Sequence, residues 1–360
     1  MNMKFIKRAT TAILAAVMCL SFSSCGDTSY IAKAEGETIP AGLYILSQYA
    51  ALAEAQQTSG YDSSLKNIWD NKLENKSLKN WVNDRALELV KQYAEVEKEF
   101  KAEGLELDED TIKEVDNTVE SNWASVESLY TAIGVAKESY RLYLLNQQKY
   151  YEIFDAYYGE GGKEEISDDS LTAHYQENYA QFKAISFSKT DSAGKDLDAS
   201  ALVELKNKAD QYLERAKAGE DFDELIAQRK KEISTDTSDT EEEEDQEVNN
   251  MIMIKKDEAS WYVSNKLSNA VFEEAEIGEP ILLSDDNAYY VVLRYNVTDD
   301  EETYQKMRQS VLLDLKQDDF DEMLMTNAKS LDFTLNESAA KRYDPKKIEK
   351  EQKKAAQAQS

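Results

Sequence analysis

The hydrophobic period of this chain switches once, and the switch limits the fold more than any single motif does. Ahead of residue 159, apolar side chains recur at helical spacing. In the longest such run Val82, Ala86, Leu89, Tyr93, Val96 and Phe100 step by 4, 3, 4, 3 and 4, which lines them along one helix face. Leu43, Leu46, Ala50 and Ala53 repeat the pattern upstream at steps of 3, 4 and 3. After "GEGGKEE" (159–165) the spacing drops to two. "QFKAISFS" (181–188) alternates apolar and polar residues, and "AYYVVLRYNV" (288–297) is rich in β-branched and aromatic ones. Three prolines and twelve glycines in 360 residues leave room for long uninterrupted helices. The expected class is α+β, a large helical part and a smaller strand-bearing part, over two or three domains of ordinary size.

Local signals fill in the order of elements. "SYIAKAEGETIPAGLYILS" (29–47) reads as a strand, a turn at Glu35-Gly36 and a helix entered near Pro40. Gly104 ends the long helix, Asp108 or Asp110 caps the next, and "AKESYRLYLLNQQKYYEIFDAYY" (136–158) supplies another. Beyond the linker, a short helix leads into the first strand. Leu202, Leu205, Ala209, Tyr212 and Ala216 then mark a helix face. "STDTSDTEEEEDQEVNN" (234–250) has no apolar residue before Val248 and reads as a solvated insert. The span 182–297 is therefore β-α-α-insert-α-β-β. A long helix, a strand at "SLDFTLNES" and a basic, Ala- and Gln-rich tail expected to fray complete the chain.

Charge and cysteine usage narrow the partners. A formal charge of −29 argues against nucleic acid, whose phosphates need clustered Lys and Arg. At the N-terminus Lys4, Lys7 and Arg8 precede "AILAAVMCL" (12–20), an apolar run shorter than the ~20 residues needed to cross a bilayer. That is the pattern of a secretory signal. It ends in Phe22-Ser23-Ser24-Cys25-Gly26, which resembles a bacterial lipobox with Phe22 where leucine is usual. Cleavage before Cys25 and lipidation of its sulfur would place the protein on the outer face of the bacterial cytoplasmic membrane; an ordinary cleaved signal with an incidental cysteine is the alternative. No cysteine follows Cys25, so no disulfide is expected. CxxC, HExxH, GxSxG and phosphate-loop patterns are missing from the sequence, which calls for no cofactor and no metal. The one histidine, His174, lies on a polar helix and is expected at the surface.

Order and spacing resemble the foldase lipoproteins of the PrsA/SurA type. "YIAKAEGETIPAGLY" is similar to that family's opening strand and turn, with Ala34-Glu35-Gly36 in place of Val-Asn-Gly. "IGVAKESYRLYLL" resembles its G-L-S-K-E-S-F-R stretch, and "ISDDSLTAHYQENYAQF" its V-S-x-x-E-L-x-x-Y-Y lead into the inserted domain. "ERAKAGEDFDELIAQ" is close to A-K-x-G-x-D-F-x-x-L-A, and "SNAVFEEAEIGEPILLSDDNAYYVVLRY" follows the family's closing A-V-F…G-Y-H-I-I pattern. The resemblance implies a helical chaperone domain split by an inserted parvulin-like peptidyl-prolyl isomerase domain. It divides the chain into a leader (1–24), a helical domain (25–165), a parvulin-like domain (166–300), a helix and strand returning to the helical domain (301–335), and the tail (336–360).

The departures fall where catalysis would be. Active parvulins open with R-H-I-L-V; here Ala184 stands at the histidine position. The second histidine falls on Tyr290, the pocket aromatic on Leu267, and the Gly-rich loop is replaced by 257–261 and the acidic insert. Amide rotation has a barrier of ~20 kcal/mol, which an isomerase lowers by desolvating and twisting the bond, with no obligatory nucleophile. Ile185, Phe187, Leu267, Phe272 and Tyr290 are the candidate peptide-binding pocket, and no catalytic residue is assigned. The expected function is a membrane-anchored extracytoplasmic chaperone binding unfolded or newly secreted polypeptides, with Tyr140, Tyr143, Tyr150, Tyr151, Tyr157 and Tyr158 as amphipathic contacts. An active isomerase with an altered site and an adaptor docking one partner are the alternatives. A homodimer is among the assemblies to expect.

Overall fold

The computed structural model describes residues 29–234, 250–256, 258 and 263–358. The leader, the lipidation candidate Cys25, most of the acidic insert and most of the loop 257–261 lie outside these residues. The chain divides into two compact units. One joins the residues up to Glu165 with those from Gln317 onward, and the other is Ile166–Lys316.

The first unit opens with β1 (Tyr30–Ala34) and β2 (Glu37–Pro40), an antiparallel hairpin. Its turn residues Glu35 and Gly36 have φ of 48° and 83°, the left-handed geometry that matches strand twist. α1 (Ala41–Gln57), a small hairpin of β3 (Lys72–Leu73) and β4 (Lys76–Ser77), α2 (Leu78–Ala102), α3 (Glu109–Ile133) and α4 (Lys137–Tyr158) follow. Ser77 and Asp108 cap α2 and α3 by accepting the amides of Asn80 and Thr111. Gly134, at φ 103°, ends α3 in the left-handed conformation. On α2 the expected face is buried at Val82, Ala86, Val96 and Phe100, with Trp81, Val90 and Ala94 widening it. On α1 the expected face is displaced. Ala50 and Ala53 are exposed, whereas Gln48, Ala51, Leu52 and Ala55 are buried. α1 packs on the hairpin, on α2 and on α4 at once, so its buried arc is broad and the small alanines mark it poorly.

The second unit begins with α5 (Asp168–Asn178), capped by Ser167, and runs directly into β5 (Tyr179–Ser188). α6 (Ala199–Lys217), α7 (Phe222–Ser234), β6 (Ile252–Lys255), α8 (Asn265–Glu273), β7 (Ile281–Ser284) and β8 (Ala288–Tyr295) complete an α+β layer structure. The sheet has order β6-β5-β8-β7 and is antiparallel throughout. β6 is a strand the sequence reading lacked, four residues adjoining the acidic run and pairing Tyr179–Phe182 with 252–255. Strand alternation gives the sheet two apolar faces. Ile185, Phe187 and Val291 pack under α6 and α7 with Ala209, Tyr212 and Leu225. Phe182, Leu283 and Val292 pack under α8 with Leu267 and Val271.

α9 (Glu301–Asn327) carries the chain out of this unit, which ends at Lys316, beyond the boundary at 300 read from the sequence. β9 (Phe333–Leu335) then adds to the first hairpin, pairing Ala32 with Leu335 and Ala34 with Phe333. The tail corrects the expectation of fraying. It forms α10 (Glu337–Arg342) and α11 (Lys346–Ala358), with Ala339 and Ile348 only 2% and 1% exposed. Trp69 donates its indole N–H to Glu349 at 2.9 Å, and Gln48 donates to the carbonyl of Tyr343 at 3.1 Å. Buried Ala339 and Ile348, these hydrogen bonds and the Lys79–Asp344 ion pair seat a segment made almost wholly of helix formers.

Candidate functional site

The turn between β7 and β8 holds the most constrained polar group of the strand-bearing unit. Asp285 is 2% exposed although it sits in the ordinary-looking turn "SDDN". One carboxylate oxygen accepts the amides of Asn287 and Ala288 at 2.8 and 2.9 Å, closing the turn on itself. The other accepts the hydroxyls of Ser264 at 2.6 Å and Tyr290 at 3.2 Å. Ser264 is also the N-cap of α8, accepting the amide of Leu267 at 3.1 Å. A single buried carboxylate thereby fixes a turn, a helix start and a strand residue against one another. Burial pushes its pKa upward, but the bonds from Ser264, Ala288, Asn287 and Tyr290 together outweigh this and hold it below the usual carboxylate range. Tyr290 moves the opposite way. Burial and the neighbouring Asp285 charge push its phenol up to about 12, so it stays a neutral donor.

The sequence-derived candidates divide between the two faces of the sheet. Ala184, Leu267, Phe272 and Tyr290 share the α8 face, where Leu267 is core and the other three pack half-buried against it. Ile185 and Phe187 lie on the opposite face, under α6 and α7. The five proposed pocket residues therefore do not line one pocket. Ala184 pairs across the strand with Val292, and Tyr290 with the exposed Ser186. The α8 face carries no histidine, and the polar atoms next to Tyr290 are those of Asp285 and Ser264. Neither was singled out in the sequence; an Asp followed two and three residues later by free amides in a turn was the available signal.

His174 is not at the surface as expected. Its Nε2 lies 2.8 Å from Asp314, and Asn178 donates to its Nδ1 at 3.1 Å. Lys255 pairs with the same carboxylate. Burial raises the Asp314 pKa, but Lys255 and His174 together bring it below the ordinary value. Asp314 so ties α9 to α5 and β6, which is a structural role.

Two surfaces leave clustered apolar side chains partly accessible. In the strand-bearing unit a cleft of about 660 Å³ opens beside the α6–α7 turn. Phe222, Pro280, Leu293 and Tyr295 form its apolar part, and Glu220, Asp221, Glu279 and Lys217 a charged rim of net acidic sign, in which Glu220 pairs with Arg215. In the helical unit four rings make a connected cluster across α1, α3 and α4. Tyr130 lies 6.4 Å from Tyr49, 6.2 Å from Trp123 and 5.6 Å from Tyr140, and all four rings are half-buried rather than sealed in the core. Of the six tyrosines expected as contacts, only Tyr140 belongs to this cluster. Tyr150, Tyr157 and Tyr158 pack around Phe320, while Tyr151 is 46% exposed. Among the described residues no group of three or more His, Cys, Asp or Glu side chains could hold a metal ion, and no helix is long and apolar enough to cross a membrane.

No protein-family model and no curated protein matches the chain. Among solved structures it is similar to the foldase protein PrsA of Lactococcus lactis, at 17% identity over 87% of this chain and 96% of that one, with a TM-score of 0.36. The foldase protein PrsA of Streptococcus pneumoniae gives 20% identity over 78% of this chain and 98% of that one, again at 0.36. The peptidylprolyl isomerase PrsA of Bacillus anthracis gives 14% identity, 67% and 94% coverage and a TM-score of 0.24.

Proposed function

We propose that this protein is a foldase-class chaperone, anchored through lipid on Cys25 to the outer face of a bacterial membrane, that holds unfolded exported polypeptides. The strand-bearing unit is a binding module whose parvulin-like site has lost its catalytic equipment. The observation that carries the reading is the half-buried four-ring cluster of Tyr49, Trp123, Tyr130 and Tyr140 in the helical unit. Rings that keep part of their faces in water while packed edge to face offer rigid amphipathic area at little entropic cost, which suits clients of varied sequence. The acid-rimmed cleft and the overall charge of −29 favour clients that are basic as well as apolar. Against catalysis stand Ala184, which offers no polar atom, and Tyr290, whose hydroxyl is committed to Asp285.

The test pairs two assays on the full chain. Suppression of aggregation of a basic unfolded client is expected, and a Trp123→Ala/Tyr130→Ala variant that keeps its helical circular dichroism is expected to lose most of it. Proline-limited refolding of a model substrate is expected to run at its uncatalysed rate. An acceleration that Tyr290→Ala abolishes would replace the chaperone reading with the enzymatic one.

A further inference from the structure

We propose that the exposed face of α11, with the adjoining end of α10, is a membrane-contact surface for anionic lipid headgroups. Residues 337–358 carry seven Lys and Arg against four Asp and Glu, in a chain whose formal charge is −29. All seven basic side chains are exposed. On α11, Lys346, Lys347, Lys350, Lys353 and Lys354 recur at three- and four-residue spacing and share one face, opposite the buried Ile348. Four carboxylates are engaged locally: Glu337 with Lys341, Asp344 with Lys79, Glu349 with Lys353 and Glu351 with Lys354. Among the described residues Arg342, Lys347 and Lys350 pair with no carboxylate, and Lys346 stands 5.9 Å from the Trp69 ring centre.

The second observation is where the chain begins its fold. Ser29 Oγ lies 2.7 Å from the hydroxyl of Tyr343, the residue that follows α10. The carbonyl of Tyr30 accepts the side-chain amide of Asn336, the N-cap of α10, at 3.0 Å. Cys25 stands four residues before Ser29, and four residues reach at most roughly 14 Å. An acyl group on Cys25 therefore sets these two helices beside the bilayer whatever path the intervening residues take. This step rests on the anchoring reading above. A cationic helix face held next to the anchor of an otherwise acidic protein meets the negative potential of anionic lipid, each Lys there raising local occupancy roughly fivefold. It would hold the α10–α11 face of the helical unit against the headgroups.

The test reconstitutes the full-length protein into vesicles of phosphatidylcholine alone or with phosphatidylglycerol, then measures acetylation of each lysine by mass spectrometry. On the anionic vesicles Lys346, Lys347, Lys350, Lys353 and Lys354 are expected to react several-fold more slowly, while the exposed Lys66, Lys113 and Lys206 keep their rates. High salt should remove the difference. In a Lys347→Gln/Lys350→Gln/Lys354→Gln variant the remaining protection of Lys346 and Lys353 should vanish. Equal rates on both vesicles, or uniform slowing of all lysines, would overturn the proposal, as would slowing that persists without vesicles and reports self-association. The mass of the peptide bearing Cys25 decides the anchor separately. Acylation without protection removes this surface and leaves the anchor, and protection without acylation does the reverse.

Discussion

Replacing Asp285 with alanine should unfold the strand-bearing unit well before the helical one. The carboxylate serves four donors, of which the hydroxyls of Ser264 and Tyr290 can turn to other acceptors. The amides of Asn287 and Ala288 cannot, because the β7–β8 turn fixes them, and Ala288 is only 5% exposed. Orphaning two amides costs about 1–3 kcal/mol each, and a loosened α8 cap adds about 1 kcal/mol. The expected loss is about 3–7 kcal/mol. With a urea dependence of about 2 kcal/mol per molar, the midpoint for this unit should fall by roughly 1.5–3.5 M. Hydrogen exchange across a urea series, read on β8 peptides and on α2 peptides, separates the two units. The neighbouring Asp286→Ala is the control: its side chain is 91% exposed and makes one surface pair with Lys266 at 3.0 Å, worth at most about 1 kcal/mol. Equal midpoints for the two variants, or a loss confined to α2 peptides, would refute the reasoning. Acid provides a second check. The folded Asp285 pKa lies below its ordinary value, so its contribution is complete above the usual carboxylate range and disappears as pH falls through the folded value. The gap between wild type and variant should close accordingly.

Two carboxylates of the helical unit should respond to acid in the opposite sense. Burial raises the pKa of Glu95, which is 1% exposed, and of Asp321, which accepts from Gln92 and Tyr150. Their charged forms are disfavoured in the fold, so the stability they contribute should rise as pH falls from neutral toward the ordinary carboxylate range, while Asp344 and Glu349, whose pKa values are held low, act in the opposite sense; the difference between wild type and a Glu95→Gln/Asp321→Asn variant in urea melts isolates that rise. Ile348→Ala should destabilise the helical unit by about 2–4 kcal/mol; an unchanged midpoint would return the tail to a frayed state. Tyr290→Phe should remove about 1 kcal/mol from the strand-bearing unit and leave proline-limited refolding rates unaltered.

What was legible in the sequence tracks the size of the side chains that carry each pattern. The α2 face was readable because Val82, Val96 and Phe100 are large and strictly spaced, and β8 because its residues are β-branched or aromatic. The α1 face was misread because alanines at 50, 51, 53 and 55 make every register look alike. β6 is four residues long and takes its identity from its partner β5, which no local window contains. The tail reads as frayed because one isoleucine among lysines is a weak local signal, and the partners that seat it, Gln48, Trp69 and Lys79, lie far away in the sequence. The candidate pocket failed for a reason the sequence did contain. Positions 184 and 185 of one strand point to opposite faces, so no single cavity could use Ile185, Phe187 and the residues around Ala184 together. The Asp285 cluster was hidden for a tertiary reason, since Ser264 and Tyr290 reach it from separate elements.

Tyr30 and Asn336, joined by a hydrogen bond, stand 306 residues apart in the chain, and that distance sets an order of events. Residues 166–316 form a contiguous unit, complete as soon as its last helix segment has emerged. The helical unit is not complete then, because β1 lacks β9 and Trp69 lacks its partner on α11. A chain delivered N-terminus first therefore finishes its middle before its outside. Until the last residues arrive, β1 presents an unpaired edge and α1–α4 an open apolar surface. A stop codon a few dozen residues early would thus spare the strand-bearing unit and leave the helical unit unable to close.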